Sequence, residues 1–157
     1  MKALIIGATG ATGKDLVQQL LNDPDYTAVD IFVRKPLGIY NDKLKIHVVD
    51  FDQPDQWKNL VSGDVAFSCL GTTLKTAGSK EAQQKVDYDY QYNFAKSARE
   101  NNVEDYVLVS SYGADSKSKI FYSKMKGDLE QSVKARHFNK ITIFQPGMLE
   151  RKDTERM

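Results

Sequence analysis

The chain has 157 residues, the length of one domain, and carries a net charge of +1. Its 41% hydrophobic and 27% charged residues are typical of a soluble globular domain. This charge gives no attraction for nucleic acid or an anionic membrane surface, and no apolar run approaches the ~20 residues of a membrane span. We therefore expect neither partner. The single cysteine, Cys69, and an N-terminus without a leader pattern predict a cytoplasmic location.

The first 21 residues combine an apolar run, a glycine turn and an amphipathic segment. Residues 3–6 are β-forming and predict a buried strand. Gly7, Gly10 and Gly13 follow at every third position, and residues 14–21 place their leucines and valine on one helical face. Because glycine accepts positive φ and has no Cβ, such a turn lets a phosphate approach the backbone at the helix N-terminus.

We therefore expect the glycine turn to bind the pyrophosphate of a dinucleotide. Thr9 and Thr12 would add hydroxyl donors. A tight turn without a ligand is one alternative. A P-loop is another, which the sequence disfavours because Asp15 stands where that motif has a hydroxyl for magnesium.

Strand-forming runs alternate with helical patterns along the rest of the chain. The predicted strands are residues 3–6, 28–33, 44–49, 65–70, 105–109 and 141–144. The predicted helices are residues 14–21, a short one within 52–60, a long one at 80–101 with a break near Lys85, and 121–135, while 74–79 is predicted as a loop. The long helix would bury Val86, Tyr90, Phe94, Ala95 and Ala98.

This alternation predicts an α/β fold with a doubly wound parallel sheet of about six strands between two layers of helices. Residues 1–157 would form a single domain. Ligands of such folds bind beyond the carboxyl ends of the strands. Small and polar residues collect at those ends here: Gly7, Arg34, Asp50, Gly71, Ser110 and Pro146.

Arg34 and Lys35 end the second predicted strand, where a protein specific for NAD usually has an acidic residue for the ribose 2′-hydroxyl. No acidic residue stands there. A guanidinium can hold a 2′-phosphate through two hydrogen bonds, so the sequence favours NADP(H) over NAD(H). The alternative is a solvated basic turn.

Asp50 and Phe51 close the third predicted strand. The carboxylate of Asp50 could accept from the adenine amino group, and the next backbone N–H could donate to the ring. A helix N-cap followed by a core aromatic residue explains the pair equally well.

The pattern Y-x-x-x-K occurs twice, at Tyr122–Lys126 and at Tyr92–Lys96. Its four-residue spacing puts both side chains on one helical face. Only the first pair opens the helix after the fifth strand, which ends at Ser110. We therefore select Tyr122, Lys126 and Ser110 as the catalytic candidates. A solvated surface pair is the alternative.

In this interpretation Tyr122 exchanges a proton with a carbonyl or hydroxyl oxygen while hydride moves on the nicotinamide. Lys126 would favour the phenolate form of Tyr122 and bind the nicotinamide ribose. Ser110, or alternatively Ser111, would hold the substrate oxygen.

Several stretches together resemble atypical short-chain dehydrogenases, whose glycine turns share this spacing. They are residues 7–13, 50–51, 69–73, 110–115, 122–127 and 144–147. Within that group the chain is similar to the Tat-interacting oxidoreductase-like proteins, which are often grouped with nucleoside-diphosphate-sugar epimerases. The resemblance covers nearly the whole chain.

The resemblance implies a Rossmann fold and a set of cofactor-binding residues. The pyrophosphate would lie on Gly7, Thr9, Gly10, Ala11, Thr12 and Gly13, and the adenosine phosphate on Arg34 and Lys35. Leu70, Gly71 and Thr72 would line the cofactor near its ribose, and Pro146, Gly147 and Met148 would flank the nicotinamide.

The chain departs from the family pattern at two points. Asp87 replaces the asparagine that many extended members carry in the long helix. The family also continues past the sixth strand, so we expect this chain to lack a C-terminal substrate-binding portion. The substrate, a small molecule, is not readable, and a homodimer through Tyr88 and Tyr92 of the long helix is possible. The alternatives to an oxidoreductase are a sugar-nucleotide epimerase and an NADPH-binding sensor without turnover.

Overall fold

In this computed structural model, residues 1–147 are described, and their six strands form one parallel sheet. The strands are Lys2–Ile6 (β1), Ala28–Val33 (β2), Leu44–Val48 (β3), Val65–Ser68 (β4), Asp105–Val109 (β5) and Lys140–Phe144 (β6). Their order across the sheet is β3-β2-β1-β4-β5-β6, with every pair parallel. The predicted doubly wound fold is thus confirmed, and its direction of winding reverses between β1 and β4, where such sheets bind ligands.

The helices largely follow the predicted pattern. They are Ala11–Leu21 (α1), Leu74–Ala77 (α2), Lys80–Gln84 (α3), Tyr90–Glu100 (α4) and Phe121–Lys134 (α5). A π-helical segment, Lys85–Asp89, joins α3 to α4. The predicted break near Lys85 is therefore a widened turn within one continuous helical stretch, and such turns recur at functional sites.

Two local predictions were wrong. The predicted loop at 74–79 contains α2, because Thr73 caps it by accepting from the backbone N–H of Thr76 at 3.0 Å and Gly78 ends it at φ +93°. The short helix predicted within 52–60 is instead two 3₁₀ turns, Pro54–Gln56 and Lys58–Leu60. Between them Trp57 turns into the core, which interrupts the helical path.

The sheet carries helices on both faces. Alternate residues of β1 point to opposite faces, and all four from Ala3 to Ile6 are fully buried. One face packs against α4 and α5 through a cluster that includes Phe94 and Leu129. The other face packs against α1 through Val17 and Leu20. Within residues 1–147, β5 side chains directed to the α1 face, such as Val107, stay half-buried.

The long helical stretch buries a partly different face from the one predicted. Phe94, Ala95 and Ala98 are buried as expected. Towards the sheet end, however, the buried residues are Gln83, Asp87 and Gln91, whereas Val86 and Tyr90 are half-buried. Polar side chains thus face inward where the helix meets the end of β4.

In the described part of the chain, no helix has both the length and the apolar character needed to cross a membrane.

Candidate functional site

A cleft of about 1530 Å³ opens at the carboxyl ends of the strands. Most of the predicted site residues line it: Gly7, Thr9, Gly10, Ala11, Thr12, Arg34, Lys35, Phe51, Leu70, Gly71, Thr72, Ser110, Tyr122, Lys126 and Pro146. Gly13, Asp50 and Gly147 do not line it, and Met148 lies outside the described residues. The fold therefore joins the glycine turn, the basic strand end and the Tyr–Lys pair in one cavity.

The glycine turn is built by backbone packing. Gly7 adopts φ +80°, and a Cβ there would overlap the peptide between Cys69 and Leu70 at the end of β4. A Cβ at Gly13 would overlap the carbonyl oxygen of Gly7. These two glycines let the strand end, the turn and α1 approach one another, so Gly13 serves the packing rather than the cleft surface.

Within residues 1–147, the N-terminus of α1 next to this turn has no side-chain cap. Gly10 is the N-cap residue, no side chain caps the helix, and its first turn holds no acidic residue. A Cβ at Gly10 would meet only the oxygen of Gly7, at 3.6 Å. The N–H groups of a first helical turn lack acceptors within the helix. The donors present therefore fit the diphosphate of a dinucleotide.

The end of the cleft next to β2 is basic and aromatic. Arg34 and Lys35 are exposed there. Phe51 stacks on Tyr90 with ring centroids 5.3 Å apart, and the Tyr90 hydroxyl donates to Asp52 at 2.9 Å. Burial, with help from Asp52, raises the pKa of Tyr90 to about 12. Sequence reasoning did not select Tyr90 as a site residue, because its place in the helical pattern predicts a core aromatic.

Asp50 is exposed and does not line the cleft. One carboxylate oxygen accepts from the backbone N–H of Asp52 at 2.9 Å, and the carbonyl accepts from the Trp57 indole at 2.9 Å. The structure thus gives Asp50 a turn-forming contact, and its contact with adenine stays a prediction.

The other end of the cleft contains the three catalytic candidates. Tyr122 is 38% exposed, whereas Ser110 and Lys126 are buried at 7% and 2%. Tyr122 and Lys126 lie one turn apart on α5. The Ser110 hydroxyl is buried without a hydrogen-bond partner in the described residues. An unpartnered buried hydroxyl in a cleft fits a site that a ligand completes.

The loop after β5 is held against α5 by backbone contacts. The N–H of Asp115 donates to the Ser123 carbonyl at 2.9 Å. A Cβ at Gly127 would overlap the backbone of Asp115 and Ser116. Glycine inside a helix costs roughly 1 kcal/mol relative to alanine. The close approach of the loop backbone accounts for a glycine at position 127 despite this cost, because a larger residue would not fit.

The charges around Tyr122 differ from those expected. Burial raises the pKa of Tyr122 above its usual 10.0, the Asp87 carboxylate raises it further, and a hydrogen bond with Ser111 acts in the opposite direction. Burial lowers the pKa of Lys126, which Asp87 and Glu130 oppose. In this structure burial and the Asp87 carboxylate therefore favour the neutral phenol of Tyr122 over its phenolate.

A buried hydrogen-bond chain fixes the end of β4 to the π-helical segment. The Gln91 amide donates to the carbonyls of Leu70, at 3.0 Å, and Asp87, at 3.1 Å. Its oxygen accepts from the Ser68 hydroxyl at 2.8 Å. The sequence gives no signal for Gln91, because a glutamine in a helix usually faces solvent.

The second Y-x-x-x-K pair lies away from the cleft. Tyr92 stacks on Tyr88 and accepts a hydrogen bond from Arg136, which lies two residues after α5, whereas Lys96 is exposed. Tyr88 also bonds Ser132 at 2.7 Å. Tyr88 thus contacts α5 and Tyr92 contacts the segment that follows it, both within the same chain, and the homodimer expected on this helix stays a prediction.

Comparison with known proteins agrees with this geometry. A family model described as NAD(P)H-binding matches residues 7–157. The mitochondrial protein FMP52 of Coccidioides immitis is 36% identical over 97% of this chain, and rat HTATIP2 is 35% identical over 92%. The structure of a UDP-glucose 4-epimerase from Thermotoga maritima superposes with a TM-score of 0.74 at 15% identity over 92% of this chain, which shows a shared fold.

The matched proteins are longer than this chain. It spans 67% of the Coccidioides protein, 61% of the rat protein and 55% of the epimerase chain.

The comparison contradicts the predicted cytoplasmic location. The fungal relatives, among them those of Candida albicans and Saccharomyces cerevisiae, are named mitochondrial. The prediction was wrong because a single free cysteine suits any reducing compartment and does not single out the cytoplasm.

Proposed function

Because the chain belongs to the NAD(P)H-binding family, we propose that it is the cofactor-binding part of an NADP(H)-dependent oxidoreductase that interconverts a carbonyl and an alcohol. The observation that carries the proposal is the shared cleft. One cavity is lined by the uncapped N-terminus of α1, by Arg34, and by Tyr122 with Lys126. A bound nicotinamide would supply or accept the hydride.

The residues of the chain would bind the cofactor, hold the substrate and transfer the proton. The glycine turn binds the diphosphate through backbone N–H groups, and Arg34 with Lys35 neutralises a 2′-phosphate. Lys126 binds the nicotinamide ribose. Ser110, or Ser111 beside Tyr122, holds the substrate oxygen. Tyr122 transfers a proton to or from that oxygen.

The preference for NADP(H) is supported by charge at the end of β2. The exposed Arg34 and Lys35 line the cleft. Asp30, the acidic residue in β2, is buried, and its Oδ2 lies 2.8 Å from Nε2 of His47. Asp30 is therefore withdrawn from any ribose contact.

The substrate side supports the proposal that a further portion completes the site. Tyr122 is 38% exposed, and the chain is shorter than its relatives. The same openness favours a second function, a module that binds NADPH and signals redox state without turnover. An epimerase resembling the matched structure is a third candidate, which only the shared fold supports.

The Tyr122→Phe variant separates the oxidoreductase from the sensor. An oxidoreductase should lose about 10²- to 10⁴-fold in kcat, the usual contribution of a general acid or base, while the Kd for NADPH stays unchanged. A sensor without turnover should show no carbonyl reduction in wild type and an unchanged Kd for NADPH in the variant. Tyr92→Phe, from the second Y-x-x-x-K pair, is the matched control. Carbonyl reduction in wild type that persists undiminished in Tyr122→Phe would contradict the assigned role.

A further inference from the structure

Three ionisable side chains are buried together beneath the Tyr122 end of the cleft. Asp87 is 1% exposed, Lys126 2% and Glu130 5%. Asp87 lies on the π-helical segment, and the other two lie on α5, which packs against it. Charges this deeply buried persist only when they are paired. This cluster holds two acidic groups for one basic group.

Asp87 is fixed on the cleft side of the cluster. It lines the cleft with Tyr122 and Lys126. Its Oδ1 accepts from the backbone N–H of Thr72 at 3.3 Å, and its carbonyl accepts from the Gln91 amide at 3.1 Å. The first contact ties the carboxylate to the segment that follows β4, and the second ties the Asp87 backbone to α4, while α5 packs against the π-helical segment.

Glu130 is fixed on the far side. It follows Lys126 by one helical turn, which places both on one face of α5. Its Oε1 accepts from the Gln145 amide at 2.7 Å, directly after β6 and beside Pro146. Lys134 is the other charged group of the small cavity that Glu130 lines.

We propose that Asp87 and Glu130 are positioning residues that hold Lys126 as an ammonium and Tyr122 as a neutral phenol, which sets this site to donate a proton. The inference rests on the proposed oxidoreductase function and gives it a direction, reduction of a carbonyl. In that step the Tyr122 O–H bond breaks and the proton joins the carbonyl oxygen, while a reduced nicotinamide provides the hydride for the carbon. The resulting phenolate is stabilised by Lys126 and regains its proton from water.

The two carboxylates act on different groups. Asp87 faces both Tyr122 and Lys126, so its charge opposes the phenolate and favours the ammonium. Glu130 acts on Lys126, one helical turn away, and lies two turns from Tyr122 on α5. Ser111 is the remaining polar group on Tyr122, and it favours the phenolate. Removing the Asp87 charge should therefore affect both Tyr122 and Lys126, whereas removing the Glu130 charge should affect Lys126.

The test is an NMR titration of the cofactor-free protein, with ¹³C labels at tyrosine Cζ and lysine Cε. The signals are assigned with Tyr122→Phe and Lys126→Arg. We expect Asp87→Asn to move the titration midpoints of both Tyr122 and Lys126 to lower pH. Glu130→Gln, which keeps an acceptor for Gln145, should move only the Lys126 midpoint. Asp89→Asn on the π-helical segment and Asp128→Asn on α5 are the matched controls and should move neither.

The proposal is overturned if folded Asp87→Asn leaves both midpoints in place, or if folded Glu130→Gln leaves that of Lys126 in place. Wild-type protein gives a measurement that no variant's folding affects: Tyr122 must titrate at higher pH than it does in the urea-unfolded chain. The titration needs no cofactor, so its failure is distinct from a failure of NADPH binding or turnover.

Discussion

At Gly13 the requirement for glycine comes from the neighbouring strand end rather than from a ligand. A Cβ there would overlap the backbone oxygen of Gly7, and backbone cannot move aside as a flexible side chain can. At Gly38, by contrast, a Cβ would meet no atom within 4 Å. The two glycines therefore differ in how they tolerate alanine.

We expect Gly13→Ala to lower the free energy of unfolding by about 2–3 kcal/mol, the upper part of the usual range for overpacking. Gly38→Ala should change it by about 0.5 kcal/mol or less. Urea denaturation measures both. Equal stability of the two variants would show that the turn can open without cost.

Arg34 is the residue expected to make the chain prefer NADPH over NADH. A charge-assisted hydrogen bond to a phosphate is worth about 1.5–3 kcal/mol, so Arg34→Ala should weaken NADPH binding by roughly 10- to 100-fold. NADH binding should not change, because NADH lacks the 2′-phosphate. Fluorescence titration of both nucleotides measures this, with Lys96→Ala as the control outside the cleft. Tighter binding of NADH by wild type would contradict the preference.

At the scale of elements, Gln91 joins the long helical stretch to β4. Its amide satisfies the Leu70 and Asp87 carbonyls and the Ser68 hydroxyl inside the protein. Gln91→Leu keeps the volume but removes these three hydrogen bonds, and each buried group that is left unsatisfied costs about 1–3 kcal/mol. We expect a loss of at least about 2 kcal/mol in the free energy of unfolding.

Gln84→Leu is the control for this change, since Gln84 is exposed on α3. Thermal and urea denaturation compare the two variants. If Gln91→Leu were as stable as Gln84→Leu, the buried amide would not hold the strand end, and the position of Asp87 would need another cause.

The sequence predicted best those elements that have a regular hydrophobic pattern or clear turn residues at both ends. β2 and β5 match their predicted bounds, because both strands are mostly apolar and lie between polar turns. α2 escaped prediction because a four-residue helix shows no period, and only the cap at Thr73 and the glycine at 78 define it.

The site was predictable where a motif fixed it. The glycine turn, Arg34 and the Tyr122–Lys126 pair line one cleft as their positions at strand ends implied. The surroundings were less predictable. Gln83, Asp87 and Gln91 are buried although a helical pattern of apolar residues points elsewhere, because their partners are backbone groups at the end of β4 that no pattern reveals.

At the scale of the molecule, the sheet is covered unevenly. In residues 1–147 α4 and α5 pack on one face and α1 on the other, so β5 and β6 keep half-buried side chains such as Val107. We propose that the additional length of the relatives supplies what covers this region and completes the substrate side. Residues 1–147 then act as the cofactor-binding half.

We propose above all that the glycine turn and the N-terminus of α1 bind the diphosphate of a nicotinamide dinucleotide. The direct test is a ¹H–¹⁵N NMR titration of the ¹⁵N-labelled chain with NADPH. We expect saturable shifts centred on the amides of residues 8–13 and on Arg34, with one nucleotide bound per chain. No saturable shift at millimolar NADPH, or shifts centred away from this turn, would contradict the claim.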